Sequence, residues 1–246
     1  MCRKQNVAGL ALAGLLGLSL ACCASPPRAA PPAQAAPGTF SRVELVEDLD
    51  HAAEILLTRN PLEFADRAEL AAFIGLQKEK LRDGMSELDF YRVLTPIVVK
   101  ARCGHSGIFL THGTEARLEA EPRYLPVLVR VVDGRLYVLS ALRAAGPAAA
   151  SEITAINGHP AAAMISALMD DITADGVNLT RKLYVASRVF NDLYALFIDS
   201  GPAFHVEYRD GADGSAGAVD LDGVSKAELE RQASAAGFPY GLPEGG

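Results

Sequence analysis

The spacing of apolar residues changes near residue 103, and this change constrains the fold more than any other feature of the sequence. Over residues 41–102 apolar side chains recur every three to four positions, which indicates amphipathic helices. Beyond residue 103, short runs rich in Val, Ile and Leu alternate with Gly-containing turns and with further helical stretches. The pattern predicts an α+β fold in which a helical bundle precedes an α/β module.

Capping residues mark the expected helix starts in the first part. Ser41 with Glu44 and Ser86 with Asp89 have the spacing of capping boxes, in which side chain and backbone of the two residues bond reciprocally. Between them, Asn60 followed by Pro predicts a further helix start, because Pro is favoured at the first helical position. We therefore expect three helices here.

Turn residues divide the second part into strands and helices. The spacing predicts a short strand over 107–110, a hairpin over 125–142 and a strand over 152–156 that ends in Asn-Gly, a dipeptide suited to positive φ. It also predicts a helix opening at Pro160 and one long helix over 179–198. A second pair of strands and a final helix capped by a Ser-Lys-Ala-Glu box complete the chain.

The N-terminal segment is typical of an export signal. Two basic residues precede an uncharged apolar run over 7–21, and Cys22 follows Ser-Leu-Ala in a sequence similar to the bacterial lipobox. We expect residues 1–22 to be a lipoprotein-type signal with Cys22 lipidated, and the Pro- and Ala-rich residues 23–40 to be a tether. The protein would then face the periplasm or the cell exterior, anchored to a membrane. An ordinary secretory signal and a spanning anchor remain alternatives.

Charge and cysteine content exclude several classes of protein. The net charge is −7 and no basic cluster follows a helix face, so nucleic acid is not an expected partner. Of four cysteines, Cys103 alone lies in the part expected to fold, which leaves no pair for a disulfide there and suggests buried packing. No metal-binding or nucleotide-binding motif occurs, so no cofactor and no metal site are expected.

The order of four short motifs carries a family resemblance. Behind the helical region come Cys-Gly-His-Ser-Gly-Ile-Phe-Leu at 103–110, Leu-Pro-Val at 125–127, Ser-Glu-Ile-Thr-Ala-Ile-Asn-Gly at 151–158 and Asp-Gly-Val-Asn at 175–178. This order resembles the N-terminal part of the tail-specific (C-terminal processing, tricorn-like) serine peptidases. In that family the helices precede a PDZ-like module, and a crotonase-like peptidase domain with the nucleophilic Ser follows.

The resemblance implies three segments in the folded part. They are a helical bundle over 41–102, a PDZ-like module over 103–178 and a helix and β-pair extension over 179–246, with the crotonase-like domain absent from the chain. The nearest approach to a nucleophile elbow, Asp-Gly-Ser-Ala-Gly at 213–217, lacks the first Gly of that motif. We therefore expect the chain to be inactive alone and to need a separate peptidase domain.

The resemblance also implies a catalytic role for His105, because a His at this point belongs to the catalytic set of tricorn-like members. An imidazole with a pKa near neutrality can accept a proton from a hydroxyl and return it. The alternative is a buried turn histidine bonded to backbone.

Four apolar residues are candidates for a peptide-binding groove. Leu125, Val127, Ile153 and Ile156 could line a groove that takes peptide or protein C-termini by strand addition, or they could form an ordinary β core. Three function classes remain open: the front half of a serine peptidase, a non-enzymatic PDZ-like peptide-binding lipoprotein, and a structural envelope protein. The acidic residues Asp170, Asp171 and Asp175 are expected to form a solvated face, since their spacing does not match a calcium loop.

Overall fold

A computed structural model describes residues 38–121 and 123–242 of the chain. Within this part the fold is α+β, as the sequence predicts, with antiparallel sheets and eight helices. The helices are α1 Arg42–Thr58, α2 Arg67–Lys78, α3 Glu87–Lys100, α4 His112–Ala120, α5 Ala161–Asp170, α6 Leu179–Arg188, α7 Phe190–Phe197 and α8 Lys226–Ala235. The strands are β1 Thr39–Phe40, β2 Met85–Ser86, β3 Val127–Val132, β4 Arg135–Ala141, β5 Glu152–Ile156, β6 His159–Pro160, β7 Ala203–Arg209 and β8 Ala216–Asp222.

The first hydrophobic core lies among α1, α2 and α3. Its buried side chains all come from residues 45–101. Both predicted capping boxes are confirmed, since Ser41 and Ser86 each exchange bonds with the carboxylate residue three positions on. The short β1–β2 pairing ties the start of α1 to the start of α3.

Helix α2 begins later than the sequence predicts. The side chain of Asn60 accepts a hydrogen bond from the Leu62 amide at 2.9 Å, and Leu62 has a φ of 52°. This local turn competes with a helix start. Asp66 instead caps the helix by accepting from the Glu69 amide.

The expected strand over 107–110 is wrong, and helix α4 was not predicted. Residues 107–110 have no regular structure, and Phe109 is 91% exposed. Helix α4 has one buried residue, Leu118, so it lacks the apolar stripe by which a helix is recognised in a sequence.

One antiparallel sheet organises the second part, in the order β3-β4-β5-β7-β8, with β6 paired to β5. The β3–β4 hairpin is confirmed, and Asp133 and Gly134 both have positive φ in its turn. The Asn157-Gly158 turn after β5 also has positive φ, as predicted. Strands β7 and β8 continue this sheet because β7 pairs with β5, so residues from 103–178 and from 179–246 share one sheet and one core.

The predicted long helix over 179–198 is two helices, α6 and α7. The chain bends at Val189, whose φ and ψ of −131° and 32° are not helical. In α8, Ser225 caps as predicted, but the Glu228 carboxylate accepts from Arg143 and Gln232 rather than completing a box. Among the described residues, no helix combines the length and apolar character needed to cross a membrane.

Candidate functional site

The loop that follows α3 carries the first two residues of the candidate site. Arg102 has a φ of 52° and turns the chain away from the helix. The Ser106 amide then donates to the Cys103 carbonyl at 3.2 Å, closing a tight turn. The site residues Cys103 and His105 both belong to this turn.

A second loop, between α5 and α6, supplies Asp175. Its Oδ1 accepts a hydrogen bond from the Gly104 amide at 2.7 Å, and the Gly176 amide donates to the Arg102 carbonyl at 3.0 Å. A β-carbon at Gly104 would lie 3.3 Å from Asp175 Oδ1, so the close approach of the two loops favours a residue without a side chain. Backbone bonds thus hold Asp175 beside the 103–106 turn.

His105 lies next to this carboxylate. Its Nδ1 is 3.9 Å from Asp175 Oδ1, and its side chain is 89% exposed. The ring is therefore not the buried turn histidine that was the alternative expectation. It is an exposed imidazole with a carboxylate on its Nδ1 side.

Cys103 is half-buried beside the same pair. A hydrogen bond from the Ser106 hydroxyl is the largest influence on its thiol and lowers the pKa of Cys103, assisted by the His105 and Ser106 amides and by the Asn60 side chain, while burial opposes them. The Ser106 hydroxyl is itself held, accepting from Asn60 Nδ2 at 2.9 Å. The Cys103 environment therefore stabilises a thiolate rather than only filling a core.

One thiol, one imidazole and one carboxylate thus meet at a single point. A ligand atom from each of Cys103, His105 and Asp175 lies within 4.8 Å of the other two. Cys103 and His105 are two residues apart in the sequence. Asp175 is some 70 positions further on, where the sequence predicts a solvated face. Asp-Gly at 175–176 is the one local signal that could have indicated a turn there.

A cavity of about 700 Å³ opens beside His105. Helices α3, α6 and α7 and both loops contribute to its walls, so it lies between the core of α1–α3 and the core of the sheet. Arg181 joins these segments, donating from Nε to the Thr173 carbonyl at 3.3 Å and from Nη2 to the Gly104 carbonyl at 3.5 Å. Lining side chains include Tyr91, Val98, His105, Asp171, Val185 and Leu193.

Asp171 differs from the solvated residue that the sequence suggests. Burial is the main reason that the pKa of Asp171 rises to about 6, and the neighbouring charge of Asp170 raises it further, while Lys182 opposes the rise. Asp170 is exposed, as expected of a solvated face. The three acidic residues therefore have three different environments.

The four residues expected to line a peptide groove are in the core of the sheet. Leu125, Val127, Ile153 and Ile156 are each 0% exposed and belong to one cluster of buried side chains. Their side chains are not accessible to a peptide in this conformation.

The outer edge of β3, where strand addition would be sought, is covered by helices α6 and α7. Ser187 Oγ bonds both the amide and the carbonyl of Val131 at 3.2 Å. Asn191 Nδ2 donates to the carbonyls of Leu125 and Val127 at 2.6 and 3.0 Å. These side chains occupy the backbone amide and carbonyl groups with which an added strand would form hydrogen bonds.

The expected lipidation site, Cys22, lies outside the described residues. No protein-family model and no curated protein sequence matches the chain.

Proposed function

We propose that this chain belongs to a serine-type peptidase of the tail-specific, tricorn-like kind and supplies its general base, His105. The observation that carries the proposal is the His105–Asp175 pair on the rim of the cavity. A base within reach of a carboxylate that orients it is half of the arrangement that nucleophilic catalysis requires. The motif order around residues 103–158 supports the same family.

In this proposal the two ring nitrogens of His105 have different tasks. Asp175 lies on the Nδ1 side, so it orients the ring and stabilises the imidazolium that forms. The other nitrogen, Nε2, then accepts the proton of an attacking hydroxyl and returns it to the leaving amine. The 3.9 Å separation shortens to a hydrogen bond when substrate and nucleophile assemble, as is common for catalytic pairs observed without substrate.

In this proposal the nucleophile is a serine of a crotonase-like peptidase domain and is neither Ser106 nor Ser215. Ser106 is adjacent to His105 in sequence, but its hydroxyl accepts a hydrogen bond from Asn60 and bonds to the Cys103 thiol. Ser215 lies in the loop between β7 and β8, where its amide donates to Asp213 Oδ1 at 2.8 Å in a turn. Both serines therefore have local structural roles.

Residues 103–178, together with β7 and β8 that share their sheet, are a PDZ-like module in this proposal. The β3–β4 hairpin, the β5 strand running into Asn157-Gly158 and the following helix α5 give the order expected of such a module. Its partner would be an extended peptide or protein C-terminus. The partly apolar cavity beside His105, with Val98, Val185 and Leu193 in its walls, is where apolar substrate side chains would lie.

Reconstitution tests the proposal. The full chain is mixed with the peptidase domain of a tail-specific peptidase, added as a separate polypeptide, and cleavage of an unstructured fluorogenic peptide with an apolar C-terminus is followed. We expect no hydrolysis by the chain alone and hydrolysis by the mixture. His105→Ala should lower the restored kcat by about 10²–10⁴-fold, the contribution of a general base. Asp175→Asn should lower it as well.

The chain offers a matched control for His105. His112 is also exposed, and its Nδ1 lies 3.8 Å from Glu115 Oε2. His112→Ala should leave the restored activity unchanged. Restored activity that survives His105→Ala, or hydrolysis by the chain alone that a serine-directed inhibitor abolishes, contradicts the proposal.

A non-enzymatic peptide-binding module is the second candidate, and the free edge of the sheet favours it. Among the described residues β8 pairs only with β7, and Leu221 is its one buried side chain. An extended peptide could add to this edge. The same labelled peptide distinguishes the candidates, because saturable binding without hydrolysis in the reconstituted mixture supports the binding module alone.

A further inference from the structure

The cluster of Cys103, His105 and Asp175 has the composition of a transition-metal site. A thiolate, an imidazole and a carboxylate are all ligands that Zn²⁺ accepts, and three protein ligands leave a fourth position for water. The three side chains come from two loops that backbone hydrogen bonds hold together. Their convergence is therefore built into the fold.

The distances are close to those of a bound ion. Ligand atoms around tetrahedral Zn²⁺ lie about 3.3–3.6 Å apart, given bonds of about 2.0–2.3 Å. The three candidate atoms already lie within 4.8 Å of one another. Movements of ~1 Å close the difference, and His105, with its side chain 89% exposed, is free to rotate by that amount.

Neighbouring groups orient the ligands. The Gly104 amide donates to Oδ1 of Asp175 at 2.7 Å, which fixes the carboxylate beside the turn, as hydrogen bonds to ligating carboxylates do in metal sites. The Arg181 guanidinium donates to the carbonyls of Thr173 and Gly104, which holds both loops. The turn bond from Ser106 to the Cys103 carbonyl keeps residues 103 and 105 together.

We propose that Cys103, His105 and Asp175 bind one Zn²⁺ ion, with water in the remaining coordination position. The thiolate selects a borderline-soft cation and excludes Mg²⁺ and Ca²⁺, which take oxygen ligands. The site does not depend on the proposed peptidase function, since metal binding requires no nucleophile. Zn²⁺ on Nδ1 of His105 would leave a hydrogen on Nε2, so the zinc-bound ring could not act as the general base, and the proposed peptidase role requires the metal-free form.

Cobalt substitution tests the site directly. The full chain is prepared with Cys2, Cys22 and Cys23 replaced by Ser, so that Cys103 is its one thiol. Titration with Co²⁺ should saturate at one equivalent, with a thiolate-to-cobalt charge-transfer band and the visible spectrum of a tetrahedral ion. Zn²⁺ should then displace Co²⁺ and abolish both signals, while Mg²⁺ should not.

Four variants in this background separate the site from adventitious binding. Cys103→Ser should remove the charge-transfer band, and His105→Ala and Asp175→Asn should each weaken Zn²⁺ binding at least about tenfold. His112→Ala should bind Zn²⁺ with unchanged affinity, because its neighbour Glu115 forms a pair without a thiol. Far-ultraviolet circular dichroism of each variant verifies that the fold is retained.

Several results would overturn the inference: no saturable Co²⁺ binding, a cobalt spectrum without the thiolate band, or Zn²⁺ affinity that is equal in the parent and in Cys103→Ser. None of them depends on peptidase activity. Failure of the reconstitution assay with an intact cobalt spectrum would reject the proposed function and leave the metal site in place.

Discussion

At the scale of single residues, the site depends on atoms that the sequence holds far apart. Gly104 and Asp175 are 71 positions apart, yet one hydrogen bond of 2.7 Å joins them. That bond places the carboxylate beside His105 and Cys103. The candidate site therefore depends on the meeting of two loops rather than on a contiguous motif.

Asp171 leads to a prediction about pH and stability. The pKa of this carboxyl rises to about 6 in the folded chain because it is partly buried, next to Asp170, at the C-terminal end of α5. Lys182 of α6 partly offsets the rise. Burial is the main reason that the pKa of Tyr91 on α3 is raised, and the charge of Asp171 adds to it. The folded chain thus binds this proton more tightly than the unfolded chain.

The sign of the effect follows from that difference. Between about pH 4 and pH 6 the folded state holds a proton that the unfolded state has lost, so the contribution of Asp171 to stability falls as the pH rises through about 6. Above this range the ionised carboxylate destabilises the fold. Asp171→Asn removes that charge, and we expect it to raise the free energy of unfolding at pH 7.5 by about 1–2 kcal/mol, after allowance for solvent screening.

Denaturant unfolding at two pH values measures this effect. The gain from Asp171→Asn should shrink towards zero at pH 4.5, where the native carboxyl is already mostly protonated. Asp222→Asn, at an exposed position on β8, is the matched control and should change stability little at either pH. A gain that is equal at both pH values would refute the assigned charge effect.

At the scale of elements, the covering of β3 by α6 and α7 determines which edge of the sheet is free. Asn191 is 1% exposed and satisfies two backbone carbonyls of the segment leading into β3. Buried carbonyls without a donor are costly, so this one side chain stabilises the whole contact. The contact also closes the edge at which a peptide could be added.

Asn191→Ala should therefore destabilise the fold by about 2–3 kcal/mol, because it leaves two buried acceptors without a donor. Ser187→Ala, which removes the bonds of a half-buried hydroxyl to Val131, should cost about 1 kcal/mol. Ser166→Ala, on the exposed side of α5, is the control variant and should change stability little. Denaturant titration measures the free energy of unfolding of each variant, and amide exchange measures the protection of β3. Equal stability of the Asn191 and Ser166 variants would show that the Asn191 side chain does not stabilise the contact with β3.

The same elements show what the sequence could predict. Capping boxes at Ser41 and Ser86 and the turns at Asp133-Gly134 and Asn157-Gly158 were predicted because each depends on residues within a few positions. Helix α4 was missed because its surface is nearly all polar. The break at Val189 was missed because the apolar spacing continues through it. The bend accompanies the packing of both α6 and α7 on β3, which the spacing cannot show.

The candidate site was predictable only in part, for the same reason. The sequence indicates His105, but local patterns contain no information on which distant carboxylate would lie beside it. Burial of Leu125 and Ile153 depends on what covers the sheet, which strand periodicity cannot specify. Predictions based on local bonds were therefore more reliable than those based on tertiary contacts.

At the scale of the whole molecule, the core of α1–α3 and the core of the sheet meet at the cavity. Tyr91 of α3 stacks on Phe197 of α7 with ring centroids 5.8 Å apart, and Arg92 donates to the Leu196 carbonyl. Together with the Arg102–Gly176 bond, these contacts join the helical first part to the sheet. A ligand in the cavity would contact both parts.

Cys22 leads to a prediction about where the molecule lies in the cell. We propose that the mature chain begins there, with a lipid on the Cys22 thiol, because the preceding apolar run ends in Ser-Leu-Ala and follows two basic residues. A lipid chain at this position followed by the Pro- and Ala-rich residues 23–40 would hold the folded part near a membrane without a spanning helix. The wild-type protein should then partition into the detergent phase and the membrane fraction of the producing bacterium.

Cys22→Ala should move the protein out of the membrane fraction or leave it as an unprocessed precursor, whereas Cys23→Ala should not. Intact mass distinguishes the alternatives, since lipidation adds acyl mass to a chain that has lost residues 1–21, and a spanning anchor retains them. A wild-type protein that is soluble and carries no lipid would show that the segment is an ordinary secretory signal. A protein retained in the membrane at full length, with Cys22→Ala behaving identically, would show that the apolar run itself is the anchor.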